Sequence, residues 1–374
     1  MKGLLEILDT LGGLQAPAAL ATLVRVKGSS YRKPGARMVF RDGGGQTGIL
    51  SAGCLETDVK ARVAAVLASQ EPQVAAYDLG SELDLIWGTG MGCQGRAQVL
   101  LESVAPGGAL WMNLCTRLLE ERRCGVLATV FAARGETPDA KVGDRFVLDL
   151  DGPGLLPAPG AFATALDRAL RLALAAGSAS TPTLVSGSGE LDLLVEPLLP
   201  PFALWIFGAG EHALPLARLA KELGWFLGIL DHRPALATPA RFPEADRIVL
   251  GHAPELFQGL PFDERSAALV VSHVYEQDRQ AIEALLAQPL GYLGLQGNRT
   301  RSLRMLKEIQ DDGLVLTAAQ QRILHFPAGL DLGAESPEVI ALSMIAEVQA
   351  SLSGHPGGSL RDRQGPIHQA PPPT

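Results

Sequence analysis

Between Ala203 and Asp231 the sequence passes through a fixed order of patterns. An apolar run, Ala203 to Phe207, meets Gly208-Ala209-Gly210; a helical stretch runs from about Leu214 to Leu223; a second apolar run, Trp225 to Leu230, ends at Asp231. Strand, GxG, helix, strand and acid in this order constrain the chain more than any other feature, because together they make a βαβ nucleotide-binding unit. The two glycines let the backbone turn tightly and approach a pyrophosphate, and the helix start offers free amides and a positive dipole end. Asp231 stands where a carboxylate takes ribose hydroxyls. A Rossmann-type, doubly wound parallel sheet is therefore expected over residues 203–352, with Gly208, Gly210 and Asp231 framing a site for NAD(P) or an adenine nucleotide. Two residues oppose the ligand: Glu211 puts a negative charge at the helix start, and Pro215 sits deep enough to remove a helix hydrogen bond. The same order also fits a sheet whose cleft is empty or put to another use.

Further on, Ala267 to Val271 is a strand, with Ser272-His273-Val274-Tyr275 at its C-terminal end. Ligands of open α/β sheets sit at that edge, which makes His273 a site candidate. After a strand at Tyr292 to Leu295, Gly297-Asn298-Arg299 opens a helix carrying Arg301 and Arg304. Gly297 and Arg299 make either a phosphate site or the start of a solvated basic face. Ser336-Pro337-Glu338 is a helix start, with Ser as N-cap and Pro at the first helical position.

The first half, residues 1–195, predicts an α+β domain. A short amphipathic helix at the N-terminus precedes strands at 19–26 and 36–40, a hairpin over 36–51, a helix after Glu56, and strands near 73–78 and 96–103. A helix near 109–122, strands near 125–132 and 144–150, and a helix over 160–176 follow, with no internal repeat. Residues 196–202 (Glu196-Pro197-Leu198-Leu199-Pro200-Pro201-Phe202) predict a proline-stiffened linker, and 353–374, rich in Gly and Pro, a flexible tail.

Two segments of this half place a cysteine in a glycine-rich loop: Ser51-Ala52-Gly53-Cys54-Leu55-Glu56 and Gly88-Thr89-Gly90-Met91-Gly92-Cys93-Gln94-Gly95-Arg96. Glycines leave a thiol accessible, and a helix N-terminus lowers its pKa. Such a thiolate is a soft metal ligand or a persulfide carrier; the alternative is two small residues packed in tight loops. Cys115 and Cys124 read as packing. Four cysteines without a CxxC pair argue for a reducing, cytoplasmic setting, a net charge of -8 argues against nucleic acid, and no apolar stretch approaches the ~18 residues of a membrane span.

Taken together the motifs resemble those of the XdhC/CoxI family, accessory factors for xanthine dehydrogenase and related molybdenum hydroxylases. The resemblance is carried by VRVKGSSYRKPGARM at 24–38, SAGCLE at 51–56, GTGMGCQGR at 88–96, IFGAG at 206–210, LDHRP at 230–234 and SHVYEQD at 272–278. GLQGNR at 294–299, HFPAGLDLGAESPE at 325–338 and GPIH at 365–368 continue it. It departs at Glu211, where the family usually has His, and at Ala52. The resemblance implies an N-terminal XdhC/CoxI-like domain ahead of the Rossmann-type sheet. It implies a protein that binds molybdenum cofactor, supports its sulfuration by a cysteine desulfurase and delivers it to an apo-hydroxylase. Cys54 and Cys93 would then ligate molybdenum or relay sulfur, with Glu56 and Arg96 beside them and Arg96 on the pterin phosphate. A homodimer is expected. The competing reading is an NAD(P)-dependent oxidoreductase working from the Rossmann half, with His273 as its acid or base.

Overall fold

Apolar residues run almost unbroken from Ala18 to Val24, and a strand so composed has to be covered on both faces. The computed structural model describes residues 2–28, 32–51, 53, 55–78 and 95–363. It divides into two units, Met1–Pro200 and Pro201–Thr374.

The first unit contains α1 (Lys2–Gly12), β1 (Ala18–Gly28), β2 (Arg37–Phe40), β3 (Gln46–Gly48), α2 (Glu56–Ser69), β4 (Gln73–Asp78) and β5 (Gly95–Val104). Then come α3 (Leu110–Glu120), β6 (Gly125–Arg134), β7 (Arg145–Asp149), α4 (Ala161–Ala176), β8 (Thr183–Ser186) and β9 (Gly189–Leu198). They build two antiparallel sheets, in the orders β3-β2-β1-β5-β4 and β7-β6-β9-β8. With β3 set aside, the second order is the first with every strand replaced by its counterpart, and the helices α3 and α4 stand where α1 and α2 do.

The expectation of no internal repeat is therefore corrected: this unit is a duplication. Leu20-Ala21-Thr22 corresponds to Leu127-Ala128-Thr129, and Lys33, Gly35 and Arg37 to Lys141, Gly143 and Arg145. Gly35 and Gly143 both adopt positive φ, 98° and 94°. Their amides donate to the carbonyls of Leu23 and Val130, also counterparts, at 2.8 and 2.9 Å. Arg37 pairs with Glu196 of the other sheet, and Arg145 pairs reciprocally with Glu102. Such exchange of partners is the signature of an approximate twofold relation. The repeat escaped the sequence because the shared residues are few, and β3 with the glycine-rich segments lengthens only the first copy.

A β-bulge follows Leu23 in β1, and its counterpart follows Val130 in β6. A bulge turns two successive residues to one face. Val24 and Phe131 thereby meet Leu100 and Leu194 between the sheets, at equivalent positions of the two copies. Helix α2 covers the outer face of the first sheet, α4 that of the second, and α1 and α3 close one end around Leu20, Leu127, Val39 and Val147. The linker expected from Glu196 is shorter than 196–202: Glu196, Pro197 and Leu198 belong to β9, held by pairing with β6.

The second unit contains β10 (Ala203–Phe207), α5 (Ala213–Glu222), β11 (Phe226–Asp231), β12 (Arg247–Leu250), β13 (Ser266–Val270), α6 (Tyr275–Leu286) and β14 (Tyr292–Leu295). After these come α7 (Arg299–Asp311), α8 (Ala318–Ile323), β15 (Leu324–His325) and α9 (Pro337–Leu352). The sheet is parallel throughout, in the order β12-β11-β10-β13-β14-β15. Helices α5 and α9 pack on one face, α6 and α7 on the other, which makes the doubly wound sheet the sequence predicts. Its strand order reverses between β10 and β13, so the ligand crevice of such folds belongs at their C-terminal ends. The first part of the expected tail is built into the fold. His355 donates its amide to Ala350 at 2.8 Å, and Leu360–Asp362 form a 3-10 helix. Residues 364–374, including GPIH, lie outside the described residues. Among the described residues no helix is long and apolar enough to cross a membrane.

Candidate functional sites

In the first unit, the carboxylate of Glu56 closes the segment that contains Cys54. Its Oε1 accepts from the amides of Leu50 at 3.2 Å and Ser51 at 2.8 Å. Its Oε2 accepts from the Leu55 amide at 3.1 Å and from the Ser51 hydroxyl. Burial works to raise the Glu56 pKa, but the Ser51 hydroxyl and these amides outweigh it and hold the carboxyl below its ordinary range. Ser51 Oγ accepts in turn from the Leu55 amide at 3.1 Å, so Ser51 and Leu55 are held together. Glu56, which the sequence places only beside the cysteines, is the residue that ties Leu50, Ser51 and Leu55 together. Cys54 and Cys93 themselves lie outside the described residues. Arg96 opens β5, largely exposed, with its Nε donating to Asp78 at 3.2 Å. Cys115 is fully buried and its thiol is pushed up to about 12 by that burial, which makes it inert packing as expected. Among the described residues no three or more His, Cys, Asp or Glu side chains gather as a metal site.

In the second unit, Gly208 has φ 114°, and a Cβ there would lie 2.5 Å from the backbone N of Ser272. The loops after β10 and β13 therefore touch at the switch point, and only glycine permits it. A Cβ on Gly210 would meet nothing within 4 Å, so the second glycine faces open space. Two sequence objections are corrected. Pro215 is the third residue of α5, in the first turn, where an amide has no intrahelical acceptor to lose. Glu211 is paired with Arg241 at 2.8 Å, which offsets its charge.

The ribose role of Asp231 is corrected as well. Its side chain is completely buried. Oδ2 accepts from the Ala209 amide at 2.6 Å and from Arg233 Nη2 at 2.7 Å, while Oδ1 accepts from the Arg233 amide at 2.8 Å and its Nε at 2.9 Å. The carboxylate is a clasp on the glycine loop, with no oxygen facing a ligand.

His273 has φ 63°, an uncommon conformation for a residue with a side chain. Its ring lies edge-on to His212, with centroids 5.1 Å apart. Burial, then the neighbouring His212, lowers its pKa and keeps the ring neutral near pH 7. Gln296, after β14, meets His212 Nδ1 through its Nε2 at 3.2 Å. A chain of hydrogen bonds fixes the loop: Ser272 Oγ donates to Asp278 at 2.5 Å, and Arg301 Nη2 donates to the other oxygen at 2.6 Å. Gly297 and Arg299 flank this arrangement. Asn298 caps α7 by accepting from the Arg301 amide at 2.8 Å, and Arg299 is exposed. The sequence does not single out His212, Gln296 or the Ser272–Asp278–Arg301 chain. A signal is present in each strand-end position, but pairing them needs the strand order. His232 and His252, stacked 5.1 Å apart after β11 and β12, escape it for the same reason.

These features define a protein with a duplicated antiparallel unit carrying the glycine–cysteine segments and a doubly wound unit with His212 and His273 in contact at its switch point. The family model described as "XdhC Rossmann domain" matches residues 204–348, and that described as "XdhC and CoxI family" matches residues 14–78. A probable xanthine dehydrogenase subunit of Bacillus subtilis (strain 168) is 33% identical over 348 residues, covering 91% of this chain and 95% of that protein. The "Uncharacterized protein YqeB" of Escherichia coli (strain K12) is 30% identical over 160 residues, covering 42% of this chain and 28% of that protein. A crystal structure of a xanthine dehydrogenase from Bacillus halodurans superposes with a TM-score of 0.75 at 27% identity, covering 96% of this chain and 98% of that one. The chain belongs to the XdhC and CoxI family.

Proposed function

We propose that this protein is a cytoplasmic maturation factor. It binds molybdenum cofactor, supports its sulfuration by a cysteine desulfurase, and hands it to a xanthine dehydrogenase-type apo-hydroxylase. The observation that carries this reading is the Glu56 clasp. Four hydrogen bonds from Leu50, Ser51 and Leu55 hold a glycine–cysteine segment directly ahead of the α2 N-terminus. In sequence a cysteine between Gly53 and the start of α2 suits a thiolate that ligates a soft metal or carries sulfur. When bound, the cofactor supplies the molybdenum that accepts the sulfur. The chain's own part is to present Cys54 and Cys93 and to shield the labile group, which favours a homodimer able to enclose it.

The oxidoreductase reading is not favoured, because Asp231 has no oxygen left for a ribose. Purification from molybdate-replete cells, followed by metal analysis and assay of fluorescent pterin oxidation products, tests the proposal. Cofactor is expected on the wild type and on Cys115→Ala and Cys124→Ala, and lost from Cys54→Ala and Cys93→Ala. Equal retention in all four variants would remove the cysteines from the scheme, and absence of pterin from the wild type would remove the scheme itself. Light scattering at micromolar concentration tests the dimer.

A further inference from the structure

The duplication shows where the first copy departs from the second. In β6 and β9, Arg134 stands directly across from Glu190, and Asp192 lies two residues on; Arg134 bonds to both carboxylates, at 3.1 Å and 2.9 Å. The equivalent positions in β1 and β5 are Lys27 across from Arg96, with Gln98 in the place of Asp192. An opposite-charge pair in one copy is thus a like-charge pair in the other. Like charges directly across an antiparallel ladder destabilise it.

The neighbours relieve this only in part. Arg96 uses its Nε on Asp78, the next residue across on β4, and Arg25 uses Nη1 on Asp192 of the facing sheet at 3.0 Å. Asp192 is shared with Arg134. Among the described residues Lys27 has no partner. The bulge after Leu23 turns Arg25 to the face of Val24, over the Phe131 ring at 4.8 Å, and Lys27, two residues on, shares that face. Arg25, Lys27, Arg96, Gln98, Tyr77 and Asp78 line a hollow of about 420 Å³. Among the described residues three cations face one carboxylate there, in contrast with the net charge of -8 of the whole chain. In sequence, the second glycine–cysteine segment runs directly into Arg96.

We infer that this hollow is a phosphate-monoester site, in which a dianion bridges Lys27 and Arg96 with Arg25 behind them. Resting on the proposed cofactor role, the inference identifies the monoester as the terminal phosphate of the pterin. A dianion turns the cross-strand repulsion into two charge-assisted contacts, as the glutamate and aspartate do in the second repeat. Gln98 is the fourth partner, a neutral amide that donates to an anion where an aspartate would repel it.

The test uses the full chain, with inorganic phosphate and phenyl phosphate as probes, titrated by calorimetry and by phosphorus NMR. The wild type is expected to bind phenyl phosphate saturably, more tightly than inorganic phosphate, and more weakly as salt rises. Lys27→Gln and Arg96→Gln should each weaken binding about tenfold, the size of one hydrogen bond to a charged group. Asp78→Asn should tighten it. Both cations are exposed, and far-UV circular dichroism confirms that the variants fold. Equal binding by wild type and the Lys27→Gln/Arg96→Gln double variant, or no saturable binding by the wild type, overturns the site. Cofactor retained by the wild type alongside that result leaves the maturation role standing without it. Phenyl phosphate binding lost only in the variants, with no pterin on any protein, supports the anion site and removes the cofactor role.

Discussion

Arg37 on β2 and Arg145 on β7 hold the same place in the two repeats, and each grips a glutamate of the opposite sheet with both ends of its guanidinium. Nη1 of Arg37 lies 3.0 Å from Glu196 Oε1 and Nη1 of Arg145 lies 2.9 Å from Glu102 Oε1; both also reach back to a carbonyl two residues earlier, Gly35 or Gly143. All four side chains are largely buried. Removing one partner of such a pair leaves an uncompensated buried charge, which costs about 3–5 kcal/mol, while replacing both by apolar groups recovers most of it. Arg37→Met and Arg145→Met should therefore destabilise the first unit to a similar extent, and Arg37→Met/Glu196→Leu much less. Urea unfolding read by hydrogen exchange at the β1 and β6 amides measures this. A loss below about 1 kcal/mol for the single variants would place the pairs among weak surface bridges.

The Asp231 clasp predicts a stability defect and not a binding one. Burial by itself would raise the Asp231 carboxyl, but Arg233 and the Ala209 amide outweigh it and hold the pKa below the ordinary value of about 3.9. A carboxyl lowered in the folded state stabilises above its unfolded pKa, and this is lost as pH falls through the folded value. Asp231→Asn should lower the melting temperature at neutral pH, by roughly 2–3 kcal/mol of stability, and should flatten the acid limb below about pH 4. The variant that melts like wild type but loses protection by a dinucleotide would restore the ribose role.

Four strands of the second unit, β10, β11, β13 and β14, were legible because each is a short apolar run ended by glycine or a polar cluster, and Ser336 indeed caps α9 by accepting from Val339. The edge strands β12 and β15, four and two residues long and only partly buried, were not legible. Asp231 was misassigned because a motif gives the position of a carboxylate and not its neighbours. Arg233 stands only two residues on, but its fork onto Asp231 follows from the turn after β11. The histidine pair was hidden for a topological reason: residues 212 and 273 become neighbours only when β13 is laid beside β10. In the first unit the α+β alternation was legible as far as α4, whereas β8, β9 and the duplication were not. Its evidence is a pattern of partners, Arg37 with Glu196 and Arg145 with Glu102, separated by 159 and 43 residues.

His273 predicts an acid sensitivity of the second unit. Its pKa is lowered by burial and by His212, with Arg301 and Arg233 acting the same way and Asp278 opposing. The folded state therefore binds fewer protons than the unfolded one, so stability is fully present above about pH 6.5 and declines as pH falls toward the lowered value. His273→Asn keeps a residue that tolerates positive φ and removes the titration. The melting temperature of the variant should depend less on pH between about 6.5 and 5 than that of wild type, with both alike at pH 8. Parallel profiles would show that the ring reaches water before the fold feels its charge.

Glu56 offers the sharpest separation between a loop that merely packs and one that serves a thiol. Its oxygens accept from three amides and a hydroxyl around the Gly53-Cys54 step, and none of those donors has another carboxylate in reach among the described residues. Glu56→Ala leaves the Leu50 and Ser51 amides without an acceptor, at about 1–3 kcal/mol, and frees the segment without touching either cysteine. Glu56→Gln keeps one acceptor oxygen and should lose about half as much. If the segment exists to present Cys54, cofactor content should fall in the order wild type, Glu56→Gln, Glu56→Ala, and alkylation of Cys54 should change in rate along the same series. Thiol labelling followed by peptide mass spectrometry, run beside the pterin assay, reads both. Alkylation that changes while cofactor content stays level would confine Glu56 to folding the loop and move the cofactor contact elsewhere in the unit.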